Sequence, residues 1–66
     1  MKIVVFGLGH VGLANAVLLA QNHSVIGIDI DKSRVNSVNI RKSPFLDKHI
    51  DTYLSTKNLN LSAITK

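Results

Sequence analysis

A six-residue glycine turn, Gly7-Leu8-Gly9-His10-Val11-Gly12, follows directly on the apolar run Lys2–Phe6 (KIVVF) and opens a second apolar run. Few folds accommodate that succession. Lys2–Phe6 is β-branched and apolar with no alternation, the pattern of a central parallel strand buried on both faces. In a G-x-G-x-x-G turn between strand and helix, Gly7 makes the tight turn and Gly9 lets the backbone approach a pyrophosphate. Gly12 lets the helix pack close to the strand. The free N–H groups at the helix start, backed by the helix dipole, then receive phosphates. The confirming partner is an acid about twenty positions on, at the end of a second strand. Asp29 stands there, 17 residues past Gly12. Its carboxylate can accept both hydroxyls of a ribose and repel a 2′-phosphate, which favours NAD over NADP. A turn kept only for packing is the competing reading, and the register of strand, glycines, helix, strand and acid weighs against it.

The rest of the chain is consistent with that start. A helix is expected over about His10–Gln21, with Val11, Ala14 and Leu18 on one stripe and Leu13, Val17 and Ala20 beside it. A helix so apolar all round must be sandwiched. Val25–Ile30 reads as a second buried strand, and Asp31 as the cap of a helix to about Arg41 whose inward residues are Val35, Val38 and Ile40. Ser43-Pro44 breaks the chain. Asp47 opens a third helix carrying Ile50, Tyr53 and Leu54, and Leu59–Thr65 alternates as a more exposed strand at the sheet edge. The order β-α-β-α-α-β with right-handed crossovers predicts an α/β, Rossmann-like parallel three-stranded unit, the first half of a doubly wound dinucleotide-binding domain.

Sixty-six residues bound the rest. There is room for one small domain with a marginal core, and with no cysteine there is no disulfide, thiolate metal site or cysteine nucleophile within these residues. The net charge of +4 is uneven: residues 1–31 sum to −1 and residues 32–66 to +5. The basic residues never cluster and only Phe6, Phe45 and Tyr53 are aromatic, so no nucleic-acid surface is expected. From Ile3 to Ala20 no residue is charged, which raises the question of a membrane span or signal peptide. Gly7, Gly9 and Gly12 interrupt the run and His10 and Asn15 are polar within it, so a buried strand and helix explain it better. The expectation is a cytoplasmic protein without a membrane partner.

The stretch MKIVVFGLGHVGLANAVLLAQNHSVIGIDIDKSRVNSVN, followed by KSPFLDKHIDTYLSTKNLNLSAIT, resembles the N-terminus of the UDP-glucose 6-dehydrogenases of the UDP-glucose/GDP-mannose dehydrogenase family. The resemblance covers essentially the whole chain. It implies an NAD-dependent oxidoreductase that converts UDP-glucose to UDP-glucuronate with two NAD, through a thiohemiacetal on a cysteine, in a homo-oligomeric parent protein. It carries the phosphate turn onto Gly7, Gly9, Val11 and Gly12, the ribose ligand onto Asp29, and a basic contact to the adenosine end onto Arg34; His10 joins the cofactor-binding residues by its place within the turn. Position 10, usually tyrosine in the family, is His10, and the common E-P-G-L segment is replaced by Asp47-Lys48-His49-Ile50. The family's catalytic cysteine, lysine and asparagine and its UDP-sugar domain have no counterpart here. Residues 1–66 are therefore expected to be the N-terminal part of an NAD-binding domain, not catalytic alone.

No further catalytic or metal residue is expected. His10, His23 and His49 lack ligand spacing, Ser33, Ser37 and Ser43 lack a triad, and Asp47 and Asp51 read as a solvated helix face. The alternative function is an NAD-binding, ligand-sensing regulatory domain of a potassium transport system. Such modules share the first half of the pattern, but the proline turn and extra helix over Ser43–Leu54 favour the dehydrogenase.

Overall fold

A computed structural model describes residues 1–66. The elements run β1 (Lys2–Phe6), α1 (His10–Leu19), β2 (Ser24–Asp29), α2 (Lys32–Asn39), α3 (Lys48–Thr56) and β3 (Leu61–Thr65). The strands form one parallel sheet in the order β1-β2-β3, with Val4 opposite Ile26 and Ile26 opposite Ser62. Parallel neighbours require crossovers, and α1 supplies one while α2 and α3 supply the other.

The core lies between the sheet and the helices. Leu8, Leu13, Ala16, Val17 and Ala20 meet Val25, Leu61 and Ala63, with Val35, Val38, Ile50, Leu54 and Leu59 closing the sides. Aspartates start two of the helices. Asp31 accepts the N–H groups of Ser33 and Arg34 at 2.9 and 3.3 Å, and Asp47 accepts those of His49 and Ile50 at 3.0 and 3.1 Å. Helix α2 ends at Ile40, after which Arg41 takes the left-handed conformation (φ 64°) that turns the chain away.

At three places residues 1–66 leave exposed what the sequence marks for burial. Within residues 1–66 β1 lies at the edge of the sheet and β2 is the central strand, with Val4 and Phe6 51% and 71% exposed. The apolar run marks a strand suited to burial on both faces, and within residues 1–66 nothing covers its second face or outer edge. On α1 the stripe Val11/Ala14/Leu18 faces out, with Val11 73% and Leu18 62% exposed, while Leu13, Ala16 and Val17 face in. The helix is thus sandwiched on one side only, and because it is apolar all round its periodicity could not tell the inner stripe from the outer. Ile40 is exposed at the α2 C-terminus, whereas Val35 and Val38 are buried as expected. Smaller shifts trim α1 to Leu19 and begin β3 at Leu61, although Leu59 is still buried against the core.

Candidate functional site

The site residues gather where β1 and β2 end. Gly7 leaves β1 with φ +88°, a conformation that glycine alone adopts at no cost, and its N–H donates to Ile28 O at 2.7 Å. Leu8 then dips into the core, fully buried, against Gly27, where an added Cβ would lie 2.6 Å from Leu8 Cδ2. A Cβ on Gly12 would sit 2.0 Å from the carbonyl oxygen of Gly7, so only glycine lets α1 start this close to the turn. At Gly9 an added Cβ would meet nothing within 4 Å, so the space in front of α1 is open.

The three helix starts differ in a telling way. α2 and α3 are capped by aspartates, but α1 begins at Gly9 with no side-chain cap. An uncapped first turn leaves backbone N–H groups unsatisfied, with the positive end of the dipole behind them. A pyrophosphate is the group that such an end fits, and the open space at Gly9 gives it room.

Asp29 closes the other side. It is only 7% exposed, at the last position of β2. Its Oδ1 accepts the N–H of Asp31 at 2.8 Å and its Oδ2 accepts the N–H of Leu8 at 2.7 Å. The two backbone donors, Asp31 first, hold its carboxyl below the ordinary value of 3.8, with the Arg34 guanidinium adding to them. One carboxylate therefore ties the glycine turn to the β2–α2 corner, and stays ionised to meet hydroxyl donors. Arg34 lies 3.5 Å from Asp29 and 3.8 Å from Asp31, so its single charge is shared between two acids. The Ser33 hydroxyl and the Arg34 N–H likewise hold Asp31 below its ordinary value. A shallow cleft of ≈ 200 Å³ lined by Phe6, Gly7, Ile28, Asp29, Ile30 and Lys66 opens beside these groups. The largest concavity, ≈ 980 Å³, lies at the opposite end of the sheet between Lys2, His23 and Asn60, and has no part in this arrangement.

The sequence reading placed Asp47 at the start of α3 but missed its link to His10, and it missed the position of Phe45. Asp47, read as part of a solvated helix face, caps α3 and reaches His10, with Nε2 of the imidazole 2.6 Å from Oδ2. Phe45 stands between the two flanks of the site, edge-on to His10 (ring centroids 5.7 Å) and under the Arg34 guanidinium (5.5 Å). An aspartate three residues past a proline signals a helix cap, but no local pattern announces a partner 37 positions away. Asp51 accepts the Ser43 N–H at 3.0 Å, so it too holds the proline turn.

Comparison with known proteins decides among the readings. A model of the UDP-glucose/GDP-mannose dehydrogenase family, NAD binding domain, matches residues 1–66. The chain belongs to this family. It is 56% identical over 63 residues to a UDP-glucose 6-dehydrogenase of Streptococcus pneumoniae, covering 96% of this chain and 16% of that protein. A GDP-mannose 6-dehydrogenase of Pseudomonas putida is 38% identical over 55 residues, 82% of this chain and 13% of the relative. The fold superposes on a ternary-complex crystal structure of GDP-mannose dehydrogenase from Pseudomonas aeruginosa with a TM-score of 0.88 at 33% identity, covering 97% of this chain and 15% of that one. The chain therefore spans about a sixth of the length of the relatives it matches. Its fold is the Rossmann-like unit of an NAD-binding domain, its cofactor is NAD, and the potassium-transport reading draws no support. No helix is long and apolar enough to cross a membrane.

Proposed function

We propose that residues 1–66 form the half-site for the adenosine-diphosphate part of NAD in a dehydrogenase that oxidises UDP-glucose to UDP-glucuronate. Gly7, Gly9, His10, Val11 and Gly12 surround the pyrophosphate, Asp29 takes the adenosine ribose hydroxyls, and Arg34 flanks the adenosine. The observation that carries this reading is the pairing of an uncapped α1 with a buried, ionised Asp29 tied to the same turn. Two acids against one guanidinium also leave net negative charge where a 2′-phosphate would lie, which disfavours NADP.

The substrate follows the 56% identical relative rather than the 38% identical ones. The remaining chemistry, two hydride transfers to NAD, belongs to parts of a longer polypeptide and to a homo-oligomer of it, in the cytoplasm. The test is calorimetric titration with NAD and NADP of the wild-type chain and of Asp29→Asn. Wild type is expected to prefer NAD, and the substitution to weaken NAD by about 10- to 100-fold, the worth of charge-assisted hydrogen bonds to the ribose. Equal affinity in both proteins defeats the assignment. NAD reduction by a longer polypeptide, offered UDP-glucose and GDP-mannose in parallel, separates the two substrates.

A further inference from the structure

The link between His10 and Asp47 is not needed to build either helix. Asp47 caps α3 through Oδ1 alone, taking the N–H groups of His49 and Ile50. Its second oxygen, Oδ2, is spent on His10, the first residue of α1. The carboxyl is held below its ordinary value by the Ile50 N–H first and then by His10, so it is ionised and only an imidazole carrying its proton on Nε2 can make the bond. Nδ1 takes no partner from the chain, and the ring is 58% exposed beside the uncapped turn.

The segment carrying Asp47 is itself fixed. Ser43 N–H is held by Asp51, Phe45 N–H donates to the Ser43 hydroxyl at 3.1 Å, and Asp47 N–H donates to Phe45 O at 2.9 Å. This strap, Ser43–Asp47, runs from the His10 side of the site to the Arg34 side, with the Phe45 ring touching both.

We infer that Asp47 is a positioning residue for the dinucleotide site: by holding the His10 imidazole it clasps the Ser43–Asp47 strap against the phosphate turn. The strap is then the outer wall of the site, and the chain Asp47–His10–Phe45–Arg34–Asp29 joins its pyrophosphate end to its ribose end. With the clasp closed, the imidazole and the guanidinium are in place before the ligand arrives, so binding does not have to order them. This inference rests on the assignment of NAD to the glycine turn.

A serine at position 47 separates the clasp from the cap, because serine caps a helix well but is too short to reach His10. The experiment is NMR of the full chain, reading the His10 ring nitrogens, combined with NAD titrations of wild type, Asp47→Ser, His10→Ala, the double variant and His10→Gln. The wild-type ring is expected to be fixed with its proton on Nε2, and Asp47→Ser to release it. Asp47→Ser and His10→Ala should each weaken NAD about three- to tenfold, and the double variant no more than either, because they remove one interaction. His10→Gln should recover most of the affinity, since its amide N–H can reach the same carboxylate. If Asp47→Ser loosens α3, Asp47→Asn, which keeps a good helix cap but offers His10 no carboxylate, carries the test. Unchanged NAD affinity in both single variants, or losses that add, overturns the clasp while the cofactor assignment stands. A wild-type chain that shows the fixed ring and takes no NAD overturns the cofactor assignment and the positioning role with it.

Discussion

Beyond β3, Asn39 lies against the strand as another strand would, donating Nδ2 to Ala63 O and accepting Ala63 N–H, both at 2.9 Å. Arg41 continues the row, its Nη2 donating to Leu61 O at 2.8 Å. Within residues 1–66 no strand pairs with the far side of β1, and Val4 and Phe6 are exposed. Both strands are edges, but only one is finished. The difference comes from the helices. α2 packs against β3, so Asn39 at its end and Arg41 just past it reach the backbone of Ala63 and Leu61. α1 crosses over β1 and β2 and delivers nothing to the far side of β1. Open edges and apolar faces are a liability in an isolated sheet, and the relatives have several times more chain with which to cover one.

Removing the finish from β3 is the most damaging test. Asn39→Ala deletes both amide bonds and leaves Ala63 N–H and C=O without partners in a part-buried place. The expected loss is about 1–3 kcal/mol, two ordinary hydrogen bonds. Urea denaturation of the chain measures it. A loss within about 0.5 kcal/mol, as for a neutral surface change, would mean that the β3 edge is no better protected than β1.

Acid distinguishes the regions in another way. Asp29, Asp31 and Asp47 all have carboxyls held below the ordinary 3.8 by hydrogen bonds of the folded state. Their contribution to stability is fully present above that value. It is lost as the pH falls below it, through each lower native value. The Asn39 amide does not titrate. As the pH falls below 3.8 and these carboxylates protonate, the glycine turn and the α2 and α3 caps are expected to loosen before the β3 edge does. Hydrogen exchange should then speed up at Leu8, whose N–H depends on Asp29, before Ala63. The reverse order would place the weak point at the neutral edge.

The same contrast explains what could be read in advance. The glycine turn, Asp29, the Asp31 and Asp47 caps and the Leu59/Leu61/Ala63 alternation depend on neighbours within a few residues or on a fixed strand–helix–strand spacing. All were legible. The edge position of β1 was not, because KIVVF records that a strand is to be buried, not whether the covering surface lies within the same 66 residues. Which of the two stripes of α1 is covered within these residues was not legible for the same reason. The pairs Asn39–Ala63 and His10–Asp47 join residues 24 and 37 positions apart, and an amide or imidazole carries no sign of its distant partner.

The smallest expected change in stability is the one that bears most directly on the open edge. Val4 lies mid-way along β1 on the bare face, opposite Ile26 in the pairing register, with Phe6, Ile26 and Ile64 exposed near it. Because Val4 is already half in water, Val4→Lys removes little burial and should alter folding stability by no more than about 0.5 kcal/mol. A lysine on an edge strand, however, opposes pairing with another chain. The chain alone is expected to self-associate with rising concentration, and Val4→Lys to shift it toward monomer, as read by sedimentation. Ser62→Lys, on the same face of β3 beside the edge that Asn39 already closes, should leave the association unchanged. If both lysines dissociate the assembly equally, the shared apolar face drives association; if only Val4→Lys does, the unfinished edge of β1 is the cause.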